Sequence, residues 1–211
     1  MIKGQVKNNL ERLNILIPED VLEKIETYDR LLIHWNKKIN LTGYTKEEDR
    51  AIWLYTEAIW AATRFSDIKK LVDVGCGCGL PGLAFQWKNR CHIMLLEAKE
   101  KKTHFLKEVI RQLEMEQTEV QNRQFNGELS FIKRKETESI YISWRAVNLN
   151  KRVLKKLNEE LRKDDGLLCF FGKESKNYSW TETISNSYTQ RKEVFPFAAN
   201  RQVIQMIKCS T

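Results

Sequence analysis

The sequence has no run of apolar residues that approaches the ~20 a helix needs to cross a bilayer. Its first residues, MIKGQVKNNLERLN, are mostly polar. They contain neither the apolar stretch nor the small-residue cleavage site of a secretory signal peptide. These two absences predict a cytoplasmic protein that does not bind membranes.

The sequence also lacks the cysteine spacing of a metal site or a disulfide framework. It contains five cysteines, an odd number, with no Cys-x-x-Cys pair and no histidine at ligand spacing. The two nearest in sequence, Cys76 and Cys78, lie among glycines, where small filler side chains are the simpler interpretation. We therefore expect no metal site, and reduced thiols as in the cytosol.

What the sequence does contain is enough apolar side chain for one sizeable core. Hydrophobic residues make up 42% of the 211 residues, including six Trp and nine Phe, and charged residues make up 30%. The formal net charge of +8 suits a polyanionic partner, because Lys and Arg displace counterions from phosphates. A basic protein without such a partner is equally compatible with the charge alone.

The apolar pattern changes near residue 66. Before this point apolar residues recur at helix spacing, which predicts helices over 18–38 and 46–65. After it, short apolar runs alternate with helix patterns, which indicates a mainly parallel sheet covered on both faces. The predicted strands are 70–74, 92–96, 118–121, 139–147, 166–171 and 203–208, and the predicted helices are 81–87, 99–113 and 150–162. The polar stretch 173–192 predicts a loop with a short helix. We expect one compact domain, with an N-terminal helical extension (1–66) on an α/β core (67–211).

The most informative segment is a strand that runs into alternating glycines. An apolar strand pattern at 71–74 is followed by Gly75, Gly77 and Gly79 and then by a predicted helix. Glycine permits a positive φ and lets a ligand approach the backbone, and a helix N-terminus offers free N–H groups to an anion. Glu97 ends the next predicted strand, where a carboxylate can accept hydrogen bonds from two ribose hydroxyls. The pattern predicts a nucleoside cofactor site.

Two cofactors fit this arrangement. Dinucleotide enzymes usually carry Gly-x-Gly-x-x-Gly, and the helix N-terminus binds their pyrophosphate. Here Asp73 precedes the first glycine by two residues, where its charge repels a pyrophosphate and attracts the cationic amino-acid end of S-adenosylmethionine. The residues favour the methyl donor and leave an NAD-dependent oxidoreductase as the alternative. A tight turn without a ligand is the simplest non-functional interpretation.

Longer motifs around this segment resemble a known family. The two longest are Trp35-Asn36-Lys37-Lys38-Ile39-Asn40-Leu41-Thr42 and Asp73-Val74-Gly75-x-Gly77-x-Gly79-Leu80-Pro81-Gly82. Shorter ones are Leu95-Leu96-Glu97 with Lys101, Lys102 and Phe105, then Arg145-Ala146-Val147, and Arg201. Together they resemble the bacterial small-subunit ribosomal RNA guanine-N7 methyltransferases, also called the glucose-inhibited division protein B family.

The resemblance implies a fold, a reaction and a set of site residues. The fold would be α/β, a Rossmann-like class I S-adenosylmethionine-dependent methyltransferase, and the reaction would be N7 methylation of a guanine in small-subunit ribosomal RNA. Together with the glycine motif, it places cofactor contacts on Asp73, Gly75, Gly77, Gly79, Leu80, Glu97, Gln124, Phe125 and Arg145. It places RNA contacts on Asn40, Lys101, Lys102, Arg123, Lys173 and Arg201. The protein is expected to be a monomer that binds ribosomal RNA or the small subunit.

Arg145 is the predicted catalytic residue, because it ends a strand on the side where open α/β sheets bind ligands. A surface salt bridge is the alternative role for this side chain. Guanine N7 has its own lone pair and loses no proton on methylation, so the reaction needs no strong general base. This agrees with three histidines that stand alone in the sequence. Rate would come mainly from holding N7 in line with the methyl group.

Several polar positions of the family are apolar in this chain. The family's Arg-His pair is Trp53-Leu54 here, and its Ser-Arg-Ala is Trp144-Arg145-Ala146. The lysine of its Leu-Lys-Gly is Phe171. Trp53 and Trp144 can stack on an unpaired base, although packing is the simpler role. These losses leave a second hypothesis open, a diverged paralogue that binds cofactor or RNA but methylates another target or does not catalyse.

Overall fold

The computed structural model of the chain describes residues 1–147, 149–172 and 187–209. Most of the stretch 173–192, with its predicted loop and helix, therefore lies outside the described residues. The helices are α1 (Ile2–Glu11), α2 (Glu19–Asn36), α3 (Glu47–Arg50), a π-helix (Ala51–Thr56), α4 (Glu57–Arg64), α5 (Gly82–Asn89), α6 (Glu100–Gln112) and α7 (Lys151–Glu160). The strands are β1 (Lys70–Val74), β2 (His92–Glu97), β3 (Thr118–Asn122), β4 (Tyr141–Arg145), β5 (Gly166–Phe171), β6 (Tyr188–Val194) and β7 (Gln202–Lys208).

The predicted helix at 46–65 is interrupted by the π-helix. Helix α3 leads into six residues of wider turn before α4 begins. The side-chain hydroxyl of Thr56 donates a hydrogen bond to the carbonyl of Ala51, five residues earlier, at 2.7 Å. Short π segments of this kind occur often at functional sites. The helical region was thus predicted, but its change of pitch was not.

The seven strands form one sheet in the order β3-β2-β1-β4-β5-β7-β6. The first five strands run parallel, and β7 runs antiparallel to both β5 and β6. Strands β1, β2 and β5 are nearly continuous apolar runs, because helices cover both faces of a parallel sheet. This is the predicted α/β, Rossmann-like arrangement.

Two clusters of buried side chains lie on opposite faces of the sheet. In β1, Leu71 packs in the larger cluster and Val72 in the smaller one, as the alternation of a strand requires. The larger cluster also contains Val6, Tyr28 and Trp60 from the first helices. The helical N-terminal region therefore shares its core with the sheet, and the boundary at residue 66 stays a prediction. Among the described helices, none has both the length and the apolar character to cross a membrane.

Candidate functional site

The site lies where the strand order reverses. From β1 the chain moves outward to β2 and β3, and it then returns to place β4 on the other side of β1. Val74 of β1 and Trp144 of β4 are register partners, so the segments that follow them leave the sheet side by side. Open α/β sheets bind ligands at this kind of position.

The segment after β1, residues 75–79, is the glycine loop. Gly75, Gly77 and Gly79 all have positive φ, at +62°, +58° and +93°, a region that favours glycine. A Cβ on Gly75 would lie 2.6 Å from Val147, and one on Gly79 would meet two leucine side chains below 3 Å. A Cβ on Gly77 would meet nothing nearer than 3.9 Å, where Lys102 Nζ lies. Gly77 is therefore the glycine of this loop that faces open space.

The geometry decides at which glycine a larger side chain would test ligand approach without disturbing the loop. Gly75 has no open space for a valine side chain. In the structure the side chain of Val147 already occupies that space, and a β-branched residue is strained at positive φ. Substitution of Gly75 would disturb the loop itself, so Gly77 is the position at which ligand approach can be tested.

Glu97, at the end of β2, holds the glycine loop. It is 6% exposed, and its Oε2 accepts a hydrogen bond from the Gly77 N–H at 3.0 Å while Oε1 accepts one from the Lys99 N–H at 2.9 Å. An ionised carboxylate has about four acceptor positions, so about two are free for the hydroxyls of a ligand. The predicted ribose contact fits this geometry and stays a prediction.

Asp73 lies beneath the loop and is 1% exposed. Its Oδ2 accepts from the Gly82 N–H at 3.0 Å and its Oδ1 from the Ser143 hydroxyl at 2.8 Å. Burial raises the pKa of this carboxyl to about 7, and its two hydrogen bonds and the charge of Arg145 only partly oppose that rise. Asp73 thus fixes the start of α5. Its predicted direct contact with a cationic cofactor group stays a prediction.

The other predicted cofactor contacts lie around the ends of the neighbouring strands. Leu80 is buried directly after the glycine loop. Gln124 is exposed, and Phe125 is half-buried against the smaller core cluster. Asn122, at the end of β3, donates to the carbonyl of Glu97 at 3.0 Å, which brings the ends of β2 and β3 together. The contacts of Leu80, Gln124 and Phe125 with a cofactor stay predictions.

Two arginines meet on one carboxylate beside the loop. Arg145 Nη2 donates to Glu57 Oε2 at 2.7 Å and to the Trp53 carbonyl at 2.6 Å. Arg201 Nη1 donates to the same oxygen of Glu57 at 2.9 Å, and its Nη2 donates to the hydroxyl of Tyr44 at 2.7 Å. We call Glu57, Arg145 and Arg201 the arginine cluster. All three side chains are mostly buried, so Arg145 forms a buried ion pair and not a surface one.

The arginine cluster has an excess of one positive charge, because two guanidinium groups share one carboxylate. In the described part of the chain, the buried Nη1 of Arg145 has no hydrogen-bond acceptor. A buried donor without an acceptor is unfavourable, and a buried charge without a counterion is more so. The cluster is therefore electrostatically suited to an anionic group.

Trp53 and Trp144, the two tryptophans considered for base stacking, both pack against other side chains. Trp53 lies under the guanidinium of Arg201, 4.5 Å from the ring centroid, and its ring meets Phe195 edge to face. Trp144 is 6% exposed within the smaller core cluster. Burial in the core leaves Trp144 unsuited to stack on a base, and packing is the role its position supports.

The predicted RNA contacts are only partly brought together. Lys102 approaches the glycine loop, and Arg201 belongs to the arginine cluster. Asn40 and Lys101 are exposed elsewhere. Arg123 lies over the ring of Phe131 at 4.2 Å, and Lys173 falls outside the described residues. The three histidines are exposed, and the described residues contain no group of side chains placed to hold a metal.

Sequence reasoning missed the residues through which the first helices reach the site. Glu57 stands in an apolar helix pattern beside Ala58 and Ile59, and a carboxylate there must be buried and paired. That signal was available. Tyr28 donates from α2 to the carbonyl of Cys78 in the glycine loop at 2.5 Å, and its place in the apolar stripe gave no hint of this contact.

The chain is similar in sequence to a known family of proteins. A family model described as "GidB: rRNA small subunit methyltransferase G" matches residues 21–204. The chain is 32% identical over 117 residues to the "Ribosomal RNA small subunit methyltransferase G" of Clostridium perfringens (strain SM101 / Type A), covering 54% of this chain and 49% of that protein. It is 33% identical over 118 residues to the protein of the same name from Bacillus licheniformis, with the same coverage. The chain thus spans about half the length of the curated relatives it matches.

The fold has relatives among solved structures. A precorrin-6y C5,15-methyltransferase from Geobacter metallireducens GS-15 superposes with a TM-score of 0.55 at 13% identity, covering 83% of this chain and 96% of that one. At this identity the likeness shows the methyltransferase fold alone.

Proposed function

Because the chain belongs to the GidB family, described as rRNA small subunit methyltransferase G, we propose that it methylates N7 of a guanine in small-subunit ribosomal RNA. The methyl donor in the proposal is S-adenosylmethionine. The observation that carries the proposal is the open space at Gly77. It is bounded by Lys102 Nζ, and the Gly77 N–H is bonded to the Glu97 carboxylate. When bound, S-adenosylmethionine supplies a methyl group on a sulfonium.

The residues around this space fit that cofactor. Glu97 keeps acceptor positions for ribose hydroxyls after its two bonds to backbone N–H groups. Phe125, half-buried after β3, offers apolar surface, and Leu80 lies buried directly after the glycine loop. The unpaired Nη1 of Arg145 needs an acceptor, which the carboxylate of an amino acid group can provide. These residues bind and orient the cofactor in the proposal.

The chemistry of the site supports methylation of an atom that carries its own lone pair. The three histidines are exposed, and the carboxylates of Asp73, Glu97 and Glu57 are all engaged in hydrogen bonds. Each of these carboxylates has a structural partner, and the proposed reaction requires none of them as a general base. Guanine N7 needs no base, so catalysis would rest on orientation, an effect worth several kcal/mol. The excess charge of the arginine cluster favours a polyanionic substrate.

Cofactor binding is tested with the variant Gly77→Ala. The new Cβ would enter the proposed ligand space, so we expect at least tenfold weaker binding of S-adenosylmethionine by calorimetry. Gly4→Ala is the matched control, since a Cβ there meets no atom within 4 Å and Gly4 lies in α1. Unfolding measurements separate the strain of a positive φ, about 1–2 kcal/mol, from lost contacts. Equal affinity in the two variants would contradict the assignment.

The reaction is tested with a labelled methyl group. We expect label from S-adenosylmethionine on small-subunit ribosomal RNA, and mass spectrometry should place it on a guanine base. Cofactor binding without any labelled RNA would favour the non-catalytic paralogue. Label on another RNA would favour a changed target, and NAD binding in place of the methyl donor would favour an oxidoreductase.

A further inference from the structure

A cavity of about 280 Å³ lies in the helical N-terminal region, apart from the glycine loop. It is formed between the second half of α2 and the loop that joins α2 to α3. Its lining residues are Leu32, Ile33, Asn36, Lys37, Thr42, Tyr44, Thr45 and Arg50. We call it the α2 cavity.

The walls of the α2 cavity are fixed by hydrogen bonds that are at least partly buried. The Asn36 side chain accepts from the Leu41 and Thr42 N–H groups at 2.8 and 3.0 Å and donates to the Thr42 carbonyl at 3.0 Å. Arg50 donates to the Thr45 carbonyl at 2.6 Å and is held by Asp29 at 2.7 Å. These bonds stabilise one loop conformation, so a ligand would find the cavity already formed.

The rim of the α2 cavity is positively charged. From residue 30 to residue 46 the chain has four Lys and Arg residues and no Asp or Glu. Lys37 lines the cavity, and Lys38 and Lys46 are exposed on the same loop. In the described ranges none of these three lysines forms an ion pair. The flanking acids are engaged, Asp29 with Arg50 and Glu47 with the amino terminus.

The interior chemistry of the cavity suits a single nucleobase. Ile33 provides the accessible apolar wall, since it is 39% exposed although it is a large aliphatic side chain, while Leu32 is fully buried. Tyr44 provides an aromatic ring and Thr45 a hydroxyl. Proteins bind unpaired nucleotides by combining apolar or aromatic surface for the base with cations for the backbone. A duplex, whose bases are stacked and paired, cannot enter such a cavity.

The α2 cavity is connected to the arginine cluster. The hydroxyl of Tyr44 accepts from Arg201 at 2.7 Å, and Arg201 and Arg145 share Glu57 Oε2. Three hydrogen bonds therefore join the cavity wall to the end of β4. A nucleotide held in the cavity would therefore contact a wall residue, Tyr44, that is hydrogen-bonded to the arginine cluster.

Building on the proposed RNA methyltransferase function, we propose that the α2 cavity binds one unpaired nucleotide of the RNA substrate, other than the one that is methylated. Its base contacts Ile33 and Tyr44, and a phosphate lies at Lys37. The site acts in substrate selection, since it admits single-stranded RNA and rejects a duplex.

The test compares two charge reversals in the same helical region. Lys37→Glu should weaken binding of a fluorescent oligouridylate hexamer at least tenfold and lower the slope of log K against log salt by about one. Lys7→Glu is the matched control, because Lys7 is exposed on α1, away from the cavity, and changes the net charge equally. Ile33→Ala should weaken the hexamer several-fold and leave the salt slope unchanged. Binding of a 12-base-pair RNA duplex should respond equally to both charge reversals.

Equal loss of hexamer binding in the two charge variants would overturn the proposal. So would an oligoglutamate peptide that displaces the fluorescent hexamer as well as unlabelled hexamer does. S-adenosylmethionine affinity and methyl transfer are measured on the same variants. Intact cofactor binding and transfer with no selective effect of Lys37 would reject the cavity alone. If Lys37→Glu selectively loses hexamer binding but the wild-type protein transfers no methyl group, the proposed reaction is rejected and the cavity proposal stands.

Discussion

The candidate site has two halves that are built differently. The glycine loop half comes mostly from one continuous stretch, since its carboxylates, Asp73 and Glu97, are bonded to nearby backbone N–H groups, with Ser143 as the one distant donor to Asp73. The arginine cluster comes from distant segments, with the Tyr44–Arg201 pair separated by 157 positions. In this half the charged side chains depend on one another. The local half suits the nucleoside part of a cofactor, and the assembled half, with two guanidinium groups on one carboxylate, suits an anionic group.

The comparison predicts that the arginine cluster will be the more sensitive half to loss of a single charge. Glu57→Ala would leave two mostly buried guanidinium groups without their shared acceptor, and loss of one partner from a buried ion pair is destabilising by about 3–5 kcal/mol. Glu57→Gln keeps an acceptor oxygen and should lose less. Urea unfolding of both variants measures the difference. An alanine variant within about 1 kcal/mol of the wild type would show that the two halves do not differ in this way.

The glycine loop half should make the free energy of unfolding depend on pH, through Asp73. The pKa of Asp73 rises from 3.8 to about 7 on burial, so between these values the folded protein holds a proton that the unfolded chain has released. The free energy of unfolding therefore falls as pH rises from about 4 through 7, by about 4 kcal/mol in total. Asp73→Asn removes this dependence. Subtracting the Asn variant's pH profile from the wild type's isolates the effect, and a flat difference would contradict it.

The smallest expected effect concerns the contact between α2 and the loop. Tyr28→Phe removes the hydrogen bond to the Cys78 carbonyl and should destabilise the fold by about 1–3 kcal/mol, since that carbonyl would lose its buried donor. It should also weaken S-adenosylmethionine binding. Tyr188→Phe is the control, because it removes a hydroxyl bonded to Asn158, away from the loop. If both variants bind the cofactor equally, Tyr28 acts on stability alone.

The same contrast explains how much was predictable from sequence. The parallel strands were placed within two residues at either end, because strands buried on both faces are uninterrupted apolar runs. The glycine loop and Glu97 follow from local pattern. The arginine cluster was not predictable as a unit, since its members are far apart in the chain and only the fold brings them together.

Two elements were missed for physical reasons. Helix α1 buries only Ile2, Val6 and Leu10, a stripe too sparse to stand out in a polar segment. Strand β6 lies at the edge of the sheet, and most of its residues are exposed. An edge strand of this kind lacks the apolar pattern that identifies a buried one.

The π-helix before Glu57 sets the direction in which that carboxylate faces. Each residue of a regular helix turns the next by about 100°, so gaining or losing one residue there would rotate Glu57 away from Arg145 and Arg201. Helix α4 also buries Trp60 and packs on α5, the helix that follows the glycine loop. A one-residue change in length at this point would therefore displace both halves of the site together.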